Sequence, residues 1–98
     1  MQIGHSGGKF ELGQTVMTRG VAALCEENCA FPILIAACLN KHVSGDWGEV
    51  CDEDRAENED ALKVGNRLMS VYTLGETKIW IITEWDRSVT TVLFPEEY

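Results

Sequence analysis

The chain has 98 residues, of which 45% are hydrophobic, and it carries a formal net charge of −8 at pH 7. This size allows a single domain with one modest core, and this composition excludes a disordered tail. The longest apolar run, residues 30–39, is about half as long as a membrane-spanning helix, so we expect no membrane segment. The acidic balance argues against direct contact with nucleic acid, because phosphate groups would be repelled.

Residues 1–8 predict a flexible leader, because they are polar and rich in glycine. Residues 9–98 predict a single folded domain. The leader lacks the basic and apolar regions of a secretory signal, so we expect a cytoplasmic protein. The 4 cysteines are then expected to be thiols or metal ligands before disulfides.

The first elements are a short strand and a short helix. Residues 14–17 indicate the strand, and Thr18 suits the N-cap of a helix over residues 19–27. Asn28 can end this helix in a left-handed conformation.

Two further helices are predicted in the middle of the chain. Pro32 favours the start of a helix over residues 32–42, although the apolar run leaves a buried strand as the rival interpretation. Asp52 suits the N-cap of a third helix over residues 53–64, and Gly65 is placed to stop it.

The remainder predicts an antiparallel meander with Gly75-Glu76 as a two-residue type II′ hairpin and Asp86-Arg87 as a second tight turn. The alternating segments are residues 67–74, 78–85 and 88–94. We therefore expect an α+β fold, with helices packed on one face of a three- to four-stranded antiparallel sheet. The middle strand is apolar on both faces, so a second layer or a dimer partner would cover the other face.

Three motifs carry a resemblance to a known group of proteins. Residues 42–48 read HVSGDWG, residues 79–91 read IWIITEWDRSVTT, and residues 93–98 read LFPEEY. With these motifs, residues 9–98 resemble a family of small bacterial "plasmid-related" proteins encoded on plasmids, conjugative elements and prophages. The resemblance implies a mobile genetic element as the source, and it implies no activity. The cysteines are not part of the family pattern, and Trp85 stands where the family has a smaller residue.

Half of the acidic residues lie in one stretch, residues 46–60. Eight carboxylates there are answered by a single cation, Arg55, so the stretch carries −7 of the total charge of −8. A charge run is most often a solvated helix face. A surface that served solubility alone would intersperse lysines among these acids to avoid self-repulsion. The concentration therefore indicates a surface for a basic partner.

We expect a small non-enzymatic interaction protein that has no cofactor and could form a homodimer. A row of carboxylates imitates the phosphates of DNA, so it would bind a basic protein surface in a host nucleic-acid-handling defence complex, such as a restriction or CRISPR complex. Trp47 and Arg87 would be anchors, because both residue types are enriched at binding hot spots. The expected partner-binding residues are Asp46, Trp47, Glu49, Asp52, Glu53, Asp54, Glu57, Asp60 and Arg87.

Turn chemistry offers a structural alternative for several of these polar residues. In that interpretation Asp86-Arg87 is only a tight turn, Asn58 satisfies a buried backbone group, and Thr90 and Thr91 are ordinary strand residues.

Zinc binding is a second functional hypothesis. Cys25 and Cys29 are separated by one helical turn, as are Cys38 and His42, and four such ligands can close a tetrahedral site. Alternatively, Cys25 and Cys38 are small core residues, because free cysteine is among the most buried residue types.

A third hypothesis is an enzyme or small-ligand protein centred on Trp47, Glu84 and Arg87. No catalytic residue is predicted. The thiol of Cys51 lies among carboxylates that disfavour the reactive thiolate.

Overall fold

The computed structural model describes residues 8–98, so the predicted leader lies outside the described residues except for Gly8. The fold is α+β, as the sequence predicts. The elements are β1 (Gln14–Met17), α1 (Arg19–Glu27), α2 (Phe31–Val43), α3 (Asp52–Val64), β2 (Leu68–Leu74), β3 (Thr77–Thr83), β4 (Val89–Leu93) and a 3-10 turn at Pro95–Glu97. The apolar segment after Pro32 is therefore a helix, and the rival interpretation as a buried strand is wrong.

The helix ends differ from the predicted caps in two places. Asn28 ends α1 in an extended conformation (φ −133°, ψ 103°) and not in the left-handed one. Cys51, not Asp52, is the N-cap of α3, because its Sγ accepts from the backbone amide of Asp54 at 3.5 Å. Gly65 ends α3 in the left-handed region (φ 81°), as predicted, because only glycine enters that region without a steric penalty.

The sheet is mixed, with the strand order β1-β4-β3-β2. β2, β3 and β4 form the predicted antiparallel meander, and Leu74 pairs with Thr77 across the two-residue Gly75-Glu76 turn. Gly75 has a φ of 67° while Glu76 has a negative φ, as a type II′ turn requires. β1, in contrast, pairs with β4 in parallel, so the expectation of a purely antiparallel sheet is wrong at this edge.

Hydrogen bonds just beyond the ends of β1 and β4 accompany their parallel pairing. Both strands run towards the same end of the sheet, where Thr18 begins α1 and the 3-10 turn follows β4. There Glu97 accepts from the Thr18 hydroxyl and from the Gly20 amide at the start of α1. These hydrogen bonds lower the pKa of the Glu97 carboxyl, and the bond from Thr18 makes the largest contribution. The carboxylate thus caps α1 from the distant end of the chain.

Helices α1 and α2 cover one face of the sheet. Ile79 and Ile81 of β3 point to this face and lie in one buried cluster with residues of both helices and of the neighbouring strands. The helix residues are Val21, Phe31, Ile35 and Cys38, and the strand residues are Tyr72 and Val92. Trp80 and Ile82 lie on the opposite face. Ile82 is buried there, and Trp80 packs edge-on against Tyr98.

A second cluster fixes the segment between α2 and α3. Trp47 is 1% exposed and packs with Val50, Ala61 and Leu68. Gly48, with a φ of 75°, forms a bridge with Val71 of β2 so close that a Cβ at this position would collide with the Val71 carbonyl. The loop that carries the first acidic residues is therefore fastened to the sheet on both sides of Trp47. Within residues 8–98, no helix has both the length and the apolar character that a membrane crossing demands.

Candidate functional site

The acidic residues of the stretch 46–60 lie at the surface. Seven of the eight side chains are exposed and Asp54 is half-buried. We call this set of carboxylates the acidic surface: Asp46, Glu49, Asp52, Glu53, Asp54, Glu57, Glu59 and Asp60. Six of them belong to α3, and the other two lie in the loop that precedes it.

The orientation of α3 determines which carboxylates point outwards. Asn58 and Ala61 are the buried residues of the helix, so its inner face is fixed. Glu53, Glu57 and Asp60 follow one another at spacings of four and three residues and therefore form a row on an outer face. Asp52 and Glu59 lie on another side of the helix, so the charge extends around much of its exposed circumference.

Few cations of the chain neutralise this charge. Within residues 8–98, the single ion pair joins Arg55 Nε to Asp52 Oδ1 at 3.9 Å, and the Asp52 side chain is fully exposed. Such a pair contributes little, because water screens it and two flexible side chains must be ordered. Glu59 accepts from the indole N–H of Trp47 at 2.9 Å, and Glu49 accepts from the Thr73 hydroxyl at 2.9 Å. Both donors are neutral, so these two bonds bring no positive charge to the acidic surface.

Asn58 attaches α3 to the edge of the sheet. Its Nδ2 donates to the Met69 carbonyl at 2.7 Å, and its Oδ1 accepts from the Met69 amide at 3.1 Å. The side-chain amide thus takes the place of a neighbouring strand. This confirms the structural interpretation of Asn58 as a residue that satisfies a buried backbone group.

Arg87 holds the carboxyl end of α3. Its guanidinium donates to four backbone carbonyls, those of Ala61, Asn66, Glu84 and Trp85, at 2.6 to 3.2 Å. It also lies over the ring of Phe10, 5.7 Å from the centroid. Burial lowers the pKa of Arg87. Because the guanidinium lies at the carboxyl end of α3, its positive charge complements the negative end of the helix dipole.

The expected anchoring roles of Trp47 and Arg87 do not fit this geometry. Trp47 lies in the core, stacked on Phe10 and edge-on to His42, and it offers almost no surface to a partner. The Arg87 guanidinium already serves four carbonyls. Both residues therefore support the acidic surface from behind and contribute little to its exposed face.

His42 is the centre of a buried chain of hydrogen bonds that the sequence did not reveal. Its Nδ1 lies 2.6 Å from Ser70 Oγ, and its Nε2 lies 2.9 Å from Thr83 Oγ1. Thr83 Oγ1 in turn lies 2.7 Å from Thr90 Oγ1, which donates to the Leu12 carbonyl. All four side chains are fully buried.

The Leu12 carbonyl, at the end of this series of hydrogen bonds, determines which group donates in each of them. A carbonyl only accepts, so Thr90 donates to Leu12 and accepts from Thr83. Thr83 must then accept from His42, which places the ring proton on Nε2 and leaves Nδ1 to accept from Ser70. Neutral His42 satisfies all these bonds. Burial, with a smaller contribution from Arg87, lowers its pKa from 6.5 to about 3.

The predicted zinc site is not formed. Within residues 8–98, no three His, Cys, Asp or Glu side chains are grouped so that they could hold a metal ion. Both ring nitrogens of His42 are engaged by hydroxyl groups, Cys38 is buried in the core, and Cys29 is exposed. The alternative interpretation of Cys38 as a core residue is confirmed, and Cys25 packs against the same cluster while partly buried.

The hypothesis of a site at Trp47, Glu84 and Arg87 also finds no support. The indole N–H of Trp47 is bound by Glu59, and the guanidinium of Arg87 is bound by carbonyls, one of them the Glu84 backbone. The polar groups of these two residues therefore already have partners within the protein.

Comparisons with known proteins give no further assignment. No family model, curated protein or solved structure matches this chain. The resemblance to plasmid-related proteins therefore stays a prediction.

The residues that sequence analysis missed carry one weak signal. Thr83 shares its strand parity with Ile79 and Ile81, so a polar residue falls at an inward position of a buried strand. This parity marks Thr83 as a buried residue that needs a partner, but only the folded chain shows that the partner is His42.

Proposed function

We propose that the protein is a non-enzymatic interaction protein of a mobile genetic element, and that its acidic surface binds a basic, nucleic-acid-handling protein of a host defence complex. The observation that carries this proposal is the exposure of seven of the eight carboxylates with one weak internal ion pair among residues 8–98. The mobile-element source and the defence complex rest on the sequence resemblance alone.

The density of charge on α3 supports an imitation of DNA. The helix has 13 residues and is about 20 Å long. Averaged over this length, the six carboxylates amount to about one per 3.3 Å, which is similar to the one phosphate per 3.4 Å along a single DNA strand, and all six lie within residues 52–60. Arg55 and Lys63 lower the net density, so the surface is less negative than DNA. A protein groove lined by arginine and lysine would attract it by the same long-range field.

The rigid attachment of α3 also favours this role. The helix is held at its middle by Asn58 and at its carboxyl end by Arg87, and the preceding loop is fastened by Trp47 and Gly48. A surface that is already ordered loses little conformational entropy on binding. The backbone positions that carry the carboxylates are thus held at fixed spacings.

The experiment is capture of partners from cells of a native host at low and high salt, with wild-type protein and two triple variants. The first variant neutralises the outer row of α3 (Glu53→Gln, Glu57→Gln, Asp60→Asn). The matched control neutralises three exposed acids elsewhere (Glu11→Gln, Glu26→Gln, Glu27→Gln), so both variants have the same net charge.

We expect the row variant to lose about tenfold or more in affinity at low salt, and the control to lose little. Duplex DNA should displace the captured partner from the wild-type protein, because both ligands need the same basic groove. Equal affinities of the two variants, or a partner that binds DNA and this protein together without competition, would overturn the proposal.

A further inference from the structure

The two edges of the sheet are treated differently. Along β2, the Asn58 side chain pairs with the backbone of Met69, and Val71 pairs with the loop before α3. The Val71 amide donates to the Trp47 carbonyl at 3.1 Å, and its carbonyl accepts from the Glu49 amide at 2.7 Å. These contacts use the outward backbone groups of Met69 and Val71 in β2. Closing an edge in this way is a common protection against pairing with another chain.

β1, at the opposite edge, has no such cover within residues 8–98. Its four residues are all exposed, with Val16 at 36% and Met17 at 46%. The Gln14 amide donates to Ser88 and the Thr18 amide donates to Val92, both in the direction of β4. Backbone groups alternate in direction along a strand, so those of Thr15 and Met17 point away from the sheet. The strand carries no lysine, proline or bulge that would discourage pairing.

We propose that β1 is a dimerisation strand, which pairs antiparallel with β1 of a second copy of this chain and joins the two sheets into one of eight strands. The pairing is a form of strand addition, in which main-chain hydrogen bonds provide the attraction.

A two-fold axis at Val16 satisfies every outward backbone group of the strand. Thr15 of each copy then lies opposite Met17 of the other, and the two residues exchange both N–H···O bonds. Val16 faces Val16 of the second copy as a non-hydrogen-bonded pair, with the two Cα atoms about 4.5 Å apart. Paired β-branched side chains are a favourable combination in this position. The strand is therefore complementary to itself.

The charge distribution favours a second copy of this chain as the partner of β1. Residues 12–18 carry no charge, in a chain whose net charge is −8. α3 contacts β2, the strand farthest from β1, so the acidic surfaces would lie at the two ends of the joined sheet. The two β2 strands would be seven strand spacings apart, about 34 Å. This is several Debye lengths at physiological salt, so the acidic surfaces would hardly repel each other.

A disulfide at the axis tests the register. The experiment uses Val16→Cys in a background in which the exposed Cys29 and Cys51 are replaced by serine. The matched control is Thr15→Cys, which is exposed on the same strand. Its Cα would lie about 9 Å from the equivalent Cα of the second copy, beyond the reach of a disulfide. We expect Val16→Cys to form a covalent dimer under mild oxidation, and Thr15→Cys to remain monomeric. Equal cross-linking of both variants, or of neither, would overturn the proposed register and strand.

Sedimentation of the reduced protein tests the dimer itself. Val16→Lys places two like charges opposite each other and should raise the dimer dissociation constant at least about fivefold, whereas Val16→Thr should leave it nearly unchanged. Circular dichroism verifies that both variants are folded. A wild-type protein that stays monomeric up to about 1 mM overturns the proposal, as does a dimer that Val16→Lys does not weaken. If Val16→Lys instead abolishes only the binding of a different protein, the edge serves another strand and the proposal is wrong.

Discussion

Acidification should destabilise the fold through His42. The ring is fully buried and neutral, with a pKa of about 3 in the folded chain, against about 6.5 in an unfolded chain. Well above pH 6.5 neither state binds a proton at this ring, so the ring contributes no pH dependence to the free energy of unfolding. Below pH 6.5 the unfolded chain takes up a proton that the folded chain refuses, and stability falls until the pH reaches about 3.

The magnitude follows from the two pKa values. Each pH unit between them costs up to about 1.4 kcal/mol, so the free energy of unfolding should fall by about 2–3 kcal/mol between pH 7.5 and pH 4.5. This is a large part of the stability of a small domain, which is roughly 5–15 kcal/mol. The window lies above the usual pKa of carboxyl groups, which separates the histidine from most of the acidic residues.

The assay is urea unfolding at several pH values, with His5→Gln as the reference so that His42 is the only histidine. His42→Gln in the same background has no group that titrates at this position. Its stability should be lower at pH 7.5, because one of the hydroxyl partners is left without its bond, but it should lack the histidine-dependent loss at pH 4.5. Changes in the acidic surface affect both proteins alike and cancel in the comparison.

If the free energy of unfolding falls equally with pH in the reference protein and in the His42→Gln variant, this reasoning is wrong. If the His42 variant does not fold, the ring proton signals of the reference protein decide the same question by nuclear magnetic resonance. A midpoint near pH 6.5 in the folded protein would show that the ring is not held neutral by the buried hydroxyl chain.

Three further substitutions test the contacts that hold α3 in place, all by urea unfolding at pH 7. Asn58→Asp should lower the free energy of unfolding by about 2 kcal/mol, because the carboxylate still accepts from the Met69 amide but repels the Met69 carbonyl. Asn58→Ala should lower it by a similar amount. If neither variant is destabilised, Asn58 does not hold α3 to the edge of the sheet. Arg87→Ala should cost about 2 kcal/mol and increase hydrogen exchange in the last turn of α3, whereas unchanged exchange there would show that the four carbonyls do not depend on the guanidinium. Gly48→Ala should lower the free energy of unfolding by more than about 2 kcal/mol, because the new Cβ would collide with the Val71 carbonyl at a φ of 75°. The control is Gly75→Ala, whose Cβ meets no other atom, and equal losses of stability in the two variants would contradict the argument from close approach.

Local patterns predicted most of the elements correctly. The helix over residues 19–27 and the hairpin at Gly75-Glu76 agree with the structure, because capping and turn preferences depend on neighbours in sequence. The cap of α3 differed by one residue, since Cys51 accepts the bond that Asp52 was expected to accept. Cysteine is a poor acceptor, so sequence preferences gave it no weight.

Contacts between distant segments were beyond the reach of these patterns. β1 pairs in parallel with β4, a strand more than 70 residues away in the chain, and Glu97 caps α1 from 77 residues away. The burial of Trp47 depends on α3 packing over it. A buried tryptophan has the same local sequence signal as an exposed one, so the sequence did not show that Trp47, the expected anchor, is a core residue.

The amino-acid sequence by itself determined the helices, the meander and the place of the acidic residues, because periodicity, turn chemistry and charge are properties of neighbouring residues. The tertiary structure alone decided which of the polar residues face water. Burial depends on what packs against a side chain. Tertiary packing placed His42 among buried hydroxyl groups and Arg87 at the end of a helix, and it left five of the six carboxylates of α3 exposed.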